Sequence, residues 1–152
     1  MCCGTNKKMS NVQHSMLNVQ VKETQKMEAE KYKRNHKFDL EKRLIDFSVS
    51  IIDIVESLPN NRVGNHIGNQ LVRSGTSPAA NYGEAQSAES RSDFIHKMRV
   101  SLKELRETRI WLLIIQRKGL VRSAGMVLQT LNENCELIAI FAASVKTAQR
   151  KG

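Results

Sequence analysis

Residues 73–113 read RSGTSPAANYGEAQSAESRSDFIHKMRVSLKELRETRIWLL, and the interpretation of this stretch decides the fold. Gly75, Pro78 and Gly83 argue for a break, because proline lacks a backbone donor and its ring clashes with the preceding turn. The small neighbours argue the other way. Ser74, Gly75, Ser77, Ala79 and Ala80 let a second helix come close, and a proline kink persists inside a helix where hydroxyls take up the freed carbonyl. We therefore expect one kinked helix running to about Ser87. Ser90 followed by Asp93 is a capping box with the shorter acid, which starts the next helix near Arg91.

That next helix is predicted over 91–118. An advance of about 100° per residue places Phe94, Met98, Leu105 and Leu112 on one core face, with Ser101 and Thr108 as small polar members. His96, Arg99, Lys103, Arg106 and Arg117 fall on one flank, and Asp93, Glu104, Glu107 and Trp111 on the other. Opposed flanks suit side-by-side pairing with neighbours, in a bundle or between copies, and set register more than stability because exposed pairs contribute ~0 to 1 kcal/mol. The plain alternative is solvated faces with local Glu–Arg pairs. Ile110, Trp111, Leu112, Leu113, Ile114 and Ile115 are apolar all round the helix, more than one bundle core can cover. A second subunit is expected over Ile110, Trp111 and Ile114, since such a patch is rarely left bare.

Upstream, Leu40, Leu44, Phe47, Ile51, Ile54 and Leu58 follow a heptad-like spacing, with Ile45 and Ile52 expected to widen the seam. This predicts a helix over 39–57, capped by Asp39 and stopped by Pro59. The short LPNN connection turns the following helix back antiparallel, with Asn60 or Asn61 as cap and Val63, Ile67 and Leu71 as its apolar face. Downstream, Gly119 stands where a left-handed cap belongs. A last helix is expected over 123–147, with Leu128, Leu131, Cys135, Ile138, Ala142 and Val145 inward. Four amphipathic helices with short connections make an all-α, antiparallel, up-down-up-down four-helix bundle.

The chain is 152 residues long, the size of one domain with a tail. The expected division is a basic arm at 1–37, disordered or marginally helical, a bundle at 38–147, and a tail at 148–152. No apolar run reaches the roughly 20 residues needed to span a bilayer, and no uninterrupted apolar leader opens the chain, so we expect a cytoplasmic protein without membrane contact. Met9, Met16 and Met27 are each alternative starts. Cys2, Cys3 and Cys135 fit neither a disulfide framework nor zinc spacing, and Cys135 is expected as buried filler. The formal charge is +9; residues 1–37 carry eight Lys and Arg against three Glu, so +5 of the excess lies in the arm. Such arms either contact nucleic acid, releasing counterions, or simply solubilise the chain.

The combination Arg73, Ser77, Pro78, Asn81, Glu84, Phe94, Ser101, Leu102, Glu104 and Leu105 resembles the four-helix-bundle proteins encoded in intervening sequences of bacterial 23S ribosomal RNA genes. That family carries Arg, small residues, Ser-x-Pro-x-Asn-x-x-Glu, a Phe opening the third helix, and Ser-Leu-x-Glu-Leu; in this chain Pro78 directly follows Ser77, with Ala79 and Ala80 before Asn81. The usual Ile-Ala-Glu-Gly after the Asn is Tyr82, Gly83, Glu84, Ala85 in this chain. The resemblance covers about 38–145 and implies a homopentameric ring with no known enzymatic activity. The family's relatives include the accessory variability determinant of diversity-generating retroelements, a basic pentamer that binds a reverse transcriptase and nucleic acid.

Arg73, Pro78, Asn81, Glu84 and Glu104 are accordingly read as structural positions, the polar ones satisfying freed backbone groups or pairing with Arg73 or Arg109. Glu84 with Glu104 as an acid–base pair or metal site lacks a supporting His or second acid at helical spacing, so we expect no catalytic residues, no metal and no cofactor. The leading expectation is an oligomeric nucleic-acid-binding accessory protein. Lys31, Lys33, Arg34 and Lys37 of the arm and Arg99, Lys103, Arg106 and Arg117 of the third helix would hold RNA or DNA through phosphates, with a reverse transcriptase as a further partner. The alternative is a protein-binding scaffold oligomer without nucleic-acid contact.

Overall fold

Four helices follow one another in the computed structural model, which describes Met27 and residues 39–150: α1 Leu40–Glu56, α2 Arg62–Gln86, α3 Arg91–Lys118 and α4 Ala124–Arg150. The expected disorder of the arm, and Cys2 and Cys3, lie outside the described residues. The chain divides after Leu40, and every contact below belongs to the second unit, Glu41–Gly152. Among the described residues there is no strand, and no helix is long and apolar enough to cross a membrane. The fold is an all-α four-helix bundle.

Local chemistry sets the helix ends. Asn61 caps α2, its side chain accepting from the backbone N–H groups of Val63 and Gly64. Ser90 caps α3 by accepting from Asp93 N–H. Gly119 ends α3 in the left-handed region at φ 64°, where a side chain would be strained. Helix α4 continues to Arg150, past the predicted end at Thr147, so most of the expected tail is helical.

Helix α2 runs unbroken through Pro78, which is buried. Hydroxyls brace the turn ahead of the ring rather than the carbonyl it frees: Thr76 Oγ1 donates to the Val72 carbonyl at 2.7 Å, and Ser74 Oγ lies 3.4 Å from the Leu71 carbonyl. The small residues act as expected on the α1 side. A Cβ on Gly75 would lie 2.7 Å from Ile51 Cγ2, and one on Gly64 would lie 1.9 Å from the Pro59 carbonyl oxygen, so the hairpin closes only with glycine at these points. Ala80, by contrast, is exposed.

Leu44, Phe47, Ile51 and Ile54 of α1 form the predicted seam and are buried with Ile67 and Leu71 of α2. Three expectations fail here. Ile45 and Ile52 do not widen the seam but are 51% and 40% exposed, and Val63 is 57% exposed. The glycine contacts rotate α1 so that Ile51 and Val55 meet α2, which turns Ile45 and Ile52 outward. On α3, Met98, Leu105, Leu112, Ser101 and Thr108 are buried as predicted, while Phe94 is half-buried.

Helix α4 corrects the reading more fully. Its buried residues are Val127, Thr130, Leu131, Asn134, Leu137, Phe141 and Val145; Leu128 is 50% exposed and Cys135 is exposed rather than filler. Two apolar stripes of equal spacing lie side by side on this helix. Burying Phe141 and Leu137 instead of Leu128 and Ala142 favours the observed face by roughly 2 kcal/mol. The cost is Asn134, whose amide nitrogen donates to the Leu105 carbonyl at 3.1 Å while its oxygen has no protein partner. Such an orphan costs about 1–3 kcal/mol, partly offset by the bond its other half makes.

Candidate nucleic-acid interface

Helix α3 presents its two charged flanks to different surroundings. On the α2 side, Arg73 meets Glu107 at 2.5 Å and Glu104 at 3.7 Å. Glu104 has only 11% of its side chain exposed, and its Oε2 has no hydrogen bond, so the half-exposed Arg73 guanidinium is the charge that compensates it. Trp111 belongs to this side as well. Its indole N–H lies 3.4 Å from Glu107 Oε1, and its ring meets His66 edge-on with centroids 6.1 Å apart. The hydroxyls of Thr108 and Ser74 stand 3.1 Å apart beneath this cluster, and Thr108 donates to the Glu104 carbonyl.

The cationic flank is left outward. Arg99, Lys103, Arg106 and Arg117 are all exposed and lie along one line of the helix. Among the described residues none of them has an ion-pair partner. At the N-terminal end of this line an open cleft of about 470 Å³ is lined by Arg91, Ser92, Ile95, His96, Arg99 and Gln149. Among the described residues no carboxylate lines it. Arg91 is anchored there by donating to the Ala148 carbonyl at the end of α4. The arrangement offers point charges and forks to anionic oxygen, at a spacing fixed by the helix. Lys31, Lys33, Arg34 and Lys37 lie outside the described residues.

Of the three residues expected under a second subunit, Ile110 and Ile114 are 52% and 38% exposed. Trp111 is turned away from them toward His66, so α2 covers part of the apolar end within the chain. The remaining sequence positions have local partners. Asn81 donates to the Ser77 carbonyl at 2.9 Å, which fits a residue holding the backbone beside Pro78. Glu84 pairs with Lys97, and this hydrogen bond raises the lysine's pKa above its ordinary value. Glu104 pairs with Arg73, not Arg109. The two carboxylates weighed as an acid–base pair are thus each engaged by their own cation. Among the described residues no three His, Cys, Asp or Glu stand together to hold a metal ion.

Sequence reasoning missed the clasp between α1 and α4. Arg43 donates through Nε and Nη2 to both oxygens of Glu133 at 2.8 Å and also reaches Glu136 at 2.9 Å. The bond to Glu133 raises the guanidinium pKa further, and Arg43 keeps only 11% of its side chain exposed. Glu133 and Glu136, three residues apart, were a visible signal for a bidentate cation, but the correct phase of α4 was needed to aim them.

The 23S rRNA-intervening sequence protein family matches residues 36–141, the bundle without most of the arm. The chain belongs to that family. A crystal structure of a protein of unknown function from the S23 ribosomal protein family of Bacteroides thetaiotaomicron VPI-5482 shares the fold of this 23S rRNA-intervening sequence protein. The two are 31% identical with a TM-score of 0.64, over 70% of this chain and 97% of that one. No curated protein matches the chain.

Proposed function

We propose that this 23S rRNA-intervening sequence protein is a non-enzymatic, oligomeric accessory protein, a pentamer by the family resemblance, that binds RNA or DNA through phosphates. The observation that carries this reading is the line of unpaired cations on α3. Arg99, Lys103, Arg106 and Arg117 are aligned and exposed, and among the described residues no carboxylate engages them. Isolated surface cations are ordinary; a line of them beside an acid-free cleft is what a phosphate backbone fits, since each contact releases condensed counterions. Such contacts carry no base information, so binding is expected to be indifferent to sequence. The basic arm, with eight Lys and Arg against three Glu, adds to the chain's cationic charge by composition. A reverse transcriptase is the partner expected for the retroelement branch of the family.

The test is fluorescence anisotropy of a labelled 20-nucleotide RNA and its DNA counterpart titrated with the full-length chain at several salt concentrations. Affinity should fall steeply with salt, and reversal of Arg99, Lys103 and Arg106 to Glu should abolish retention with an unchanged helical spectrum. Binding unaffected by salt or by the reversal would overturn phosphate contact through this line, and no binding at all would leave the protein-only scaffold as the function.

A further inference from the structure

Helix α1 carries a second line that the bundle does not cover. Glu41, Ile45, Val49, Ile52 and Glu56 follow one another at spacings of four or three residues, and all five are exposed. Ile45, Val49 and Ile52 are 51%, 52% and 40% exposed. The rest of α1 is already engaged. Leu44, Phe47, Ile51 and Ile54 enter the core, Gly75 of α2 packs on Ile51, and Arg43 reaches across to Glu133 and Glu136 of α4. Three branched apolar side chains in a row, closed at each end by an acid, therefore remain in solvent.

The outward line of α3 has the inverse pattern. Ile110 and Ile114 are bracketed by Arg106 and Arg117. Among the described residues none of Glu41, Glu56, Arg106 and Arg117 has an ion-pair partner. At the helical rise the two acids stand about 22 Å apart along α1 and the two arginines about 16 Å apart along α3. The difference of about 3 Å at each end lies within the reach of an arginine side chain.

We infer that the α1 line of one copy docks on the Arg106–Arg117 line of the next, a head-to-tail contact that deepens the oligomeric part of the proposal above and rests on it. The charges select this occupant. An α1 line against its own copy sets acid on acid, and an α3 line against its own copy sets cation on cation. The crossed pairing alone joins apolar to apolar with opposite charges at both ends. Every copy then uses two different surfaces. In the assembly Arg106 and Arg117 are then engaged by the neighbour's acids, so of the four cations named above only Arg99 and Lys103, beyond the bracket, stay open for phosphate.

Native mass spectrometry and light scattering on the full-length chain test the pairing. One variant carries Val49→Asp with Ile52→Asp, the other Ile110→Asp with Ile114→Asp. Each alone should be monomeric with an unchanged helical spectrum, and an equal mixture should give a two-copy species and nothing larger, because the mixture retains one intact line of each kind. An α1 variant that assembles like the wild type overturns the pairing and leaves the oligomer reading standing. A mixture that yields no two-copy species overturns it too. A wild type that is monomeric at every concentration overturns both. Should the aspartates unfold the chain, charge exchange decides. Glu41→Arg with Glu56→Arg, and separately Arg106→Glu with Arg117→Glu, should each weaken assembly about tenfold or more, and the combined protein should recover it; failure of the combination to recover overturns the pairing.

Discussion

On one flank of α3, Glu104 and Glu107 turn toward α2 and share Arg73; on the other, Arg99, Lys103, Arg106 and Arg117 stand in solvent, and among the described residues no carboxylate engages them. In sequence the two flanks look symmetrical, a set of acids and a set of bases at helical spacing. In the fold they are not equivalent. The acids are compensated inside the chain and contribute to how α2 and α3 meet, while the bases are left for partners outside it, a neighbouring copy or a phosphate. Charge that is already paired carries little information about partners, and charge left aligned and unpaired carries most of it.

The sharpest way to break this comparison is to reverse only the outward flank beyond the proposed bracket. Arg99→Glu with Lys103→Glu should weaken nucleic-acid binding about a hundredfold and lower the salt slope by about two, with the assembly mass and melting temperature unchanged. A parallel loss of stability would mean that the two flanks are equally structural. The inward flank gives the second test. Arg73→Ala removes the cation facing the buried Glu104 carboxylate, so thermal unfolding should show a loss of about 1–2 kcal/mol, reduced from the usual cost of an unpaired buried charge because Arg73 is half-exposed. Adding Glu104→Gln should restore most of it, while binding to RNA stays as in the wild type.

The smallest effect lies at the exposed Glu84–Lys97 pair. Because the folded state raises the lysine's pKa, the contribution of this pair is fully present below the ordinary lysine value and is lost as pH rises through the raised one. Glu84→Gln should therefore lower the melting temperature slightly at neutral pH, and the difference from wild type should vanish on the strongly alkaline side. A difference that persists there would assign Glu84 a packing role instead of a charge role.

Much of the fold was legible before any coordinates. Ser90, Gly119 and Asn61 announce helix ends because capping is local chemistry, and Leu44, Phe47, Ile51 and Ile54 continue from Leu40 to Leu58 as a longer stripe than Ile45, Val49 and Ile52 make. Helix α4 was legible as a helix but not in its phase. A polar Asn134 in the middle of the true stripe made the neighbouring stripe, with Leu128 and Cys135, read as the better one. Of the candidate site, the cationic line of α3 was visible as a line. Its lack of internal partners was not, since that depends on how α3 packs against its neighbours, and neither was the outward turn of Ile45 and Ile52, which depends on which glycines let α2 approach α1.

The sequence by itself determined that residues 39–150 form four helices, where most of them begin and end, and which side chains share a face, because capping, proline and periodicity act over a few residues. The tertiary structure alone decided which of two equal stripes is buried and which charges find partners inside. Those outcomes follow from helices rotating against one another until Phe141 is covered, Ile51 meets Gly75, and Arg73 reaches Glu104 and Glu107, a choice that no single helix makes alone.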